Sequence, residues 1–447
     1  MLPDPDPDQP PDSSRHEPGT GPIPLSLLPD GARIEPDGQL SIAGVDVLDI
    51  AKEFGTPVFV YDEGHVRARC KEALAAWGPG VAYASKAFLC KEMARVVHEE
   101  GMSIDVSTGG ELHVALAAGV PAARLVLHGN NKSTSELARA LEVGVGRIVV
   151  DSFDEIHRIE QILGEAVDEA ARTKILIRVT PGIEAHTHEY VMTGQDDSKF
   201  GFGLASGDAA RAVRHLRRKG SPVELVGIHV HIGSQIFALE SFEKAAAVIA
   251  EFFNPLGLQE LCLGGGLGVA YVEDEEAPSI TEWASVAKLG LSAAGIAPDV
   301  RITAEPGRAI VAAAAITCYT VGTIKDIPGI RTYVSVDGGM SDNPRPVLYG
   351  SGYEAFLPRD AGAPRPKRVT IVGKHCESGD VIVKAARVPA DLAVGDVLAT
   401  PVTGAYGHSM ASTYNKVPRP PVVFAREGEA RLVVRRETFD DLTALDL

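Results

Sequence analysis

The sequence predicts an α/β protein: a (β/α)8 TIM-like barrel plus a C-terminal β-rich domain. Three observations carry this. Eight short apolar runs alternate with Ala/Leu/Glu-rich stretches through the first two thirds of the chain. Each run is mostly apolar rather than alternating, as parallel strands covered on both faces require. Beyond about residue 310 the helical pattern gives way to strand-like runs split by Gly, Pro and Asp.

In chain order, residues 1–30 are rich in Pro, Asp and Ser and read as a disordered tail, because they carry too little apolar surface to order themselves. Residues 31–50 read as N-terminal strands that join the β domain. Residues 51–310 form the barrel, with strands at 81–87, 103–107, 125–130, 147–152, 174–181, 224–233, 261–266 and 301–307. Between them, stretches such as SELARALEVGV have helical apolar spacing. The connection at about 182–203 is longer than a usual βα loop and is expected to be a lid. Residues 311–447 supply the β domain through ITCYTVGTIKD, RTYVSVDGG, KRVTIVG, VIVKAARVP, DVLATPV and EARLVVRRE.

Bulk properties exclude several function classes. A chain of 447 residues suits two domains. Its 45% hydrophobic and 23% charged content is that of a globular protein with a large core. The net charge of -17, with no Lys/Arg run, argues against nucleic acid and anionic membrane as partners. Five scattered cysteines without a C-x-x-C imply neither a disulfide framework nor a zinc ribbon, and fit a reducing compartment. No signal peptide or transmembrane run is legible, so the cytoplasm is the expected location.

Chemistry in such a barrel sits at the C-terminal ends of the strands. There the sequence presents Lys86, Asp105, His229, His231, a run from Gly264 to Gly266, and Glu305-Pro306-Gly307-Arg308. Lys86 reads either as a lysine snorkelling to the rim or as a desolvated amine ready to form a Schiff base. Bare glycine amides can cradle a phosphate, and Ser234 can add a hydroxyl. Glu305 is a rim carboxylate, or the partner of a pyridine nitrogen if such a ring lies in the barrel mouth. His229 and His231 share a strand face, a spacing zinc hydrolases also use. Their place on the sixth strand, with glycines on the seventh and Arg308 after the eighth, argues against a metal, and none is expected. The HTHE run at 186–189 reads as solvated.

These residues add up to a pattern. YASKAF, DVSTGGEL, HVHIGSQ, LGGGLG, AEPGR, DGGMSDNPRPVLYG, CESGD and TGAYGHSMASTYN, in this order, resemble the diaminopimelate decarboxylases, which have the alanine-racemase-like fold type of pyridoxal-phosphate enzymes. The resemblance covers about residues 40–445 and implies pyridoxal 5'-phosphate as cofactor and a homodimer with shared active sites. It makes Lys86 the Schiff-base lysine, His231 the ring that stacks on the cofactor, and Glu305 the partner of its nitrogen. Asp105, Ser234, Gly265, Gly266, Pro306, Gly307, Arg308 and Tyr406 become the remaining cofactor contacts. Arg308, Arg345, Tyr349, Glu377 and Tyr406 become substrate contacts. The partner subunit donates Cys376, the expected proton donor, and Glu377. The implied reaction converts meso-diaminopimelate to lysine and CO2. A decarboxylase of ornithine, lysine or arginine is the alternative within the fold type. A racemase is disfavoured by CESGD, and a catalytically dead regulator by the presence of both Lys86 and Cys376.

Overall fold

The structure, a computed structural model, describes residues 18–164, 172–182, 198–231 and 233–447. The expected lid and the HTHE run lie largely or wholly outside the described residues, as do residues 1–17. Among the described residues, no helix is long and apolar enough to cross a membrane.

Two compact units emerge. The first holds residues 70–268 and 278–307. Its eight barrel strands are Ala82–Ala84, Ser103–Val106, Leu125–Leu127, Arg147–Val150, Thr173–Thr180, Val223–Val230, Glu260–Cys262 and Arg301–Thr303. Each pairs in parallel with the next. Backbone bonds from Ala82 N–H to the Ala304 carbonyl (3.0 Å) and from Ala84 N–H to the Pro306 carbonyl (3.2 Å) close the ring. All eight predicted runs are therefore barrel strands. The apolar pattern was informative because most of these strands are buried on both faces, with Arg301–Thr303 only partly so.

Helices alternate with the strands, and their ends are written locally. The helix Thr134–Val143 starts at a capping box of Ser133 and Glu136 and stops at Gly144, which is left-handed at φ 72°. Ser279 and Glu282 make the same box for Ile280–Ala293. The barrel interior is packed: Val149, Leu176 and Cys262, from the fourth, fifth and seventh strands, meet Val126 and Val226 from the third and sixth. At the strands' N-terminal ends, Glu260 joins Arg147 (2.6 and 2.9 Å) and Arg301. Burial raises the Glu260 pKa, but these two arginines outweigh it and hold the carboxyl below its ordinary range.

The second unit gathers residues 18–69, 269–277 and 308–447. Its sheet runs in the order Val381–Val388, Lys367–Val372, Arg331–Val336, Ala315–Ile327, Val58–Asp62, Val422–Arg426 and Glu429–Val434, with Val397–Pro401 also on Ala315–Ile327. The six runs predicted there are all strands. Other expectations need correction.

The strand Val58–Asp62 lies inside this sheet, antiparallel to Ala315–Cys318 and parallel to Val422–Ala425, although the sequence reading assigned residues 51–69 to the barrel. It is buried throughout, so its apolar run looks like a barrel strand, and its partners are far away in sequence. Residues 32–46 belong to this β unit, where they form a separate three-stranded antiparallel sheet. A positive φ at Ala43 and Gly44 folds them back on themselves. Residues 18–30 are ordered rather than a tail: Ile23, Leu27 and Leu28 are buried, apolar exceptions in a Pro-rich stretch.

Candidate active site

The barrel unit gathers one set of predicted residues at the C-terminal ends of its strands. The first strand stops at Ala84, and a 3-10 turn, Ser85–Ala87, carries Lys86. Lys86 is exposed, not desolvated as one sequence reading held, because the strand ends before reaching it. Its charge still acts on Asp105 and His231. Burial is the main reason the Asp105 carboxyl is pushed up to about 7, with Glu305 and Glu111 adding to it against the pull of His128 and Lys86. Among the described residues Asp105 Oδ1 is buried without a hydrogen-bond partner, and it lies 3.8 Å from His128 Nε2.

Glu305 is the centre of the set. One carboxylate oxygen lies 2.9 Å from His128 Nε2 and the other 2.9 Å from His229 Nε2. Burial pushes Glu305 up, but the two histidines together hold it well below the usual carboxylate range. An ionised carboxylate only accepts, so each Nε2 carries the donated proton. Arg178, on the fifth strand, adds its field to both Glu305 and Asp105.

His231 follows the sixth strand. Desolvation first, then the charges of Lys86, Arg178 and His229, hold its pKa well below the ordinary value, so the ring is neutral. Its Nδ1 accepts from Gly265 N–H at 3.3 Å. Here the glycines are required. Gly264 has φ 64°, and a Cβ there would sit 2.6 Å from the Val230 carbonyl. A Cβ on Gly265 would meet the Glu305 carbonyl at 2.5 Å, and one on Gly266 the Gly233 carbonyl at 2.5 Å. The turn bearing Ser234 is tied to this run by Ile236 N–H on the Gly266 carbonyl (2.9 Å). Gly307 lies against the Ala84 carbonyl, 2.9 Å from where its Cβ would be.

His128, His229 and Glu305 also bring three ligand atoms within 4.8 Å of one another. Their 2.9 Å N···O contacts are hydrogen bonds, shorter than the roughly 3.4 Å that separates two tetrahedral ligands each held about 2.0–2.2 Å from one zinc. Lys86 and Arg178 further oppose a divalent cation by placing positive charge near these acids. An aldehyde-bearing, phosphorylated, protonated pyridine suits the set better. It would meet an amine at Lys86, bare amides at Gly264–Gly266, a neutral ring at His231 and an anionic Glu305.

The second unit gathers the other predicted residues around tyrosines. Arg308 Nη1 donates to Tyr271 Oη (2.7 Å), and its guanidinium lies 4.7 Å from the Tyr406 ring centre. Arg345 is buried, 4.0 Å from the Tyr271 ring centre, and donates to Tyr353 Oη at 2.5 Å. No carboxylate among the described residues pairs with Arg345. Tyr349 ends the short helix Arg345–Tyr349. Tyr406 has φ 59°, in a segment pinned by Gly404 N–H on the Ala312 carbonyl (3.0 Å) and by Tyr61 Oη on the Gly404 carbonyl (2.8 Å). Cys376 is exposed, and Glu377 accepts from Tyr414 Oη. The adjoining His375 is locked between Ser341 Oγ (2.8 Å) and Asn415 Oδ1 (3.1 Å).

Sequence reasoning missed His128, Arg178, Tyr271 and Tyr353. His128 had a signal, standing at the end of a barrel strand in LVLHGN. The tyrosines had none, since only the fold brings residues 271 and 353 to Arg345.

Comparison with known proteins agrees with this chemistry. Residues 63–312 match the family described as pyridoxal-dependent decarboxylase, pyridoxal binding domain. The chain is 48% identical to a diaminopimelate decarboxylase of Mycobacterium tuberculosis over 92% of its own length and 95% of that protein's. It is 46% identical to the Bacillus subtilis enzyme of that name, over 92% and 95% of the two chains. A crystal structure of diaminopimelate decarboxylase from M. jannaschii in complex with L-lysine has a TM-score of 0.84 at 31% identity, covering 94% of this chain and 98% of that one. With its barrel, its cofactor-ready strand ends and these relatives, the chain belongs to the diaminopimelate decarboxylases, enzymes dependent on pyridoxal 5'-phosphate.

Proposed function

We infer that this chain converts meso-diaminopimelate to L-lysine and CO2, with Lys86 as the residue that holds the cofactor. The observation that carries the reading is Glu305, a buried carboxylate kept ionised at the end of a strand of the barrel that also bears Lys86. When bound, pyridoxal phosphate supplies the electron sink for the carbon that loses CO2. Glu305 would pair with its ring nitrogen, and the neutral His231 would stack on the ring. Gly265, Gly266, Ser234, Pro306 and Gly307 would hold its phosphate end, and Asp105, Arg308 and Tyr406 are the further residues we assign to the cofactor.

Substrate choice rests on the second unit's residues. Arg308 and Arg345 grip the distal carboxylate of diaminopimelate, aided by Tyr349 and Tyr406. Arg345 suits this role because its partners are tyrosines, which leave its charge for an anion. Glu377 takes the distal ammonium, and Cys376 gives the proton that replaces the carboxyl. Lysine, ornithine and arginine lack the distal carboxylate and would leave buried guanidinium donors unpaired, a penalty that can reach about 10⁴–10⁵-fold.

The exposure of Cys376 and Glu377 supports their donation to a second copy, giving a homodimer with shared sites. The free cysteines support a reducing cytoplasmic setting. The deciding measurement is CO2 release from meso-diaminopimelate against L-lysine, L-ornithine and L-arginine. Arg345→Ala is expected to cut diaminopimelate turnover at least about a hundredfold while cofactor affinity changes little. Unchanged turnover by that variant would remove Arg345 from the substrate site.

A further inference from the structure

Glu305 is engaged on both oxygens by imidazoles from two other strand ends. His128 follows the third barrel strand and His229 lies on the sixth, while Glu305 follows the eighth. The rings pack edge to face, 4.9 Å between centres and 70° between planes. All three side chains are buried. This spans the barrel mouth, where strand ends carry chemistry rather than stability.

We propose that His128 and His229 are positioning residues that clamp the Glu305 carboxylate, orienting it and keeping it anionic for the cofactor's ring nitrogen. The inference rests on the role given to Glu305 above and extends it to two residues that the cofactor does not need to touch.

Two considerations decide for a clamp. The first is desolvation. A buried carboxylate with no donors takes up a proton, and a protonated Glu305 could no longer stabilise a pyridinium. Each imidazole supplies one charge-assisted hydrogen bond. The second is geometry. A carboxylate has about four lone-pair sites. Two directional bonds from opposite oxygens fix its plane and still leave sites for a third donor. Among the described residues, His229 Nδ1 is buried without a hydrogen-bond partner, and the ring's polar partner is Glu305.

The test separates the clamp from simple packing. Glutamine can place an amide N–H close to the imidazole Nε2 position, whereas leucine fills the space without a donor. Full-length protein is stripped of cofactor, and its affinity for pyridoxal phosphate is compared with that for the isosteric 1-deaza analogue, which lacks the ring nitrogen. The wild type is expected to prefer the natural cofactor by about tenfold or more, the value of one charge-assisted bond. His128→Leu and His229→Leu are expected to lose most of this preference, as Glu305→Gln does. His128→Gln and His229→Gln are expected to keep it. Melting temperatures of all variants identify any that fail to fold, in which case the glutamine pair alone decides.

If Glu305→Gln loses the preference while the leucine variants keep it, the clamp is wrong and the role of Glu305 stands. Loss of the preference in folded glutamine variants also overturns the clamp. If Glu305→Gln itself keeps the preference, the role of Glu305 fails and the clamp fails with it.

Discussion

Burial makes single side chains into instruments here. Asp342 accepts from Tyr319 Oη and from Gly339 N–H, both at 2.8 Å, and holds the turn that leads to Arg345. Desolvation pushes its carboxyl up to about 7. A carboxyl raised in the folded state contributes stability that is complete below about pH 4, its unfolded value, and is lost as pH rises through about 7. Asp342→Asn removes that titration. In thermal melts, the variant is therefore expected to gain on the wild type steadily between about pH 4 and pH 7 and to level off above. A constant difference across that range would contradict the shift. Lys86 shows where residue-level reading stops. YASKAF left both a rim lysine and a desolvated amine open, and only the end of the strand at Ala84, which leaves Lys86 exposed, decides between them.

Secondary-structure elements divide the barrel's labour between its two ends. The C-terminal ends hold Asp105, His128, His229 and Glu305, and the N-terminal ends hold the Arg147–Glu260–Arg301 cluster. Glu260 has its pKa lowered in the folded state, so its contribution is present above the unfolded value of about 4.3 and is lost as pH falls through the still lower folded value. Glu260→Gln is expected to cost about 1–3 kcal/mol in denaturant unfolding at pH 7, with the gap to the wild type closing below about pH 4. Turnover should be unchanged, and a loss of kcat in the folded variant would refute the division.

The barrel strands were legible because most are buried on two faces and so read as apolar blocks, although Arg301–Thr303 is only partly buried. Val58–Asp62 obeys the same rule in another sheet, which is why pattern alone misassigned it. Within the site, Lys86, Glu305 and the glycine run were legible from residue type at strand ends. The Tyr271–Arg345–Tyr353 stack was not, since it joins positions that no periodicity links.

At the scale of the whole molecule, the proposed sharing of sites is open to a direct check. Lys86→Ala and Cys376→Ala each remove one half of the chemistry and should be nearly inactive alone. In a homodimer with shared sites, mixing the two after dissociation is expected to restore about a quarter of wild-type activity, because half of the dimers are mixed and each has one intact site. No recovery on mixing would place both residues in the same chain's site.

The strand Val58–Asp62 also sets an order for biosynthesis. It leaves the ribosome early, yet its neighbours in the sheet are Ala315–Cys318 and Val422–Ala425. The barrel is thus an insertion between one strand of the β unit and the partners of that strand. During translation the barrel can finish folding while VFVYD still waits with both edges unpaired, a sticky segment that cellular chaperones would have reason to shield. Chain made only after residue 420 is then what completes the pairing of this early strand of the large sheet.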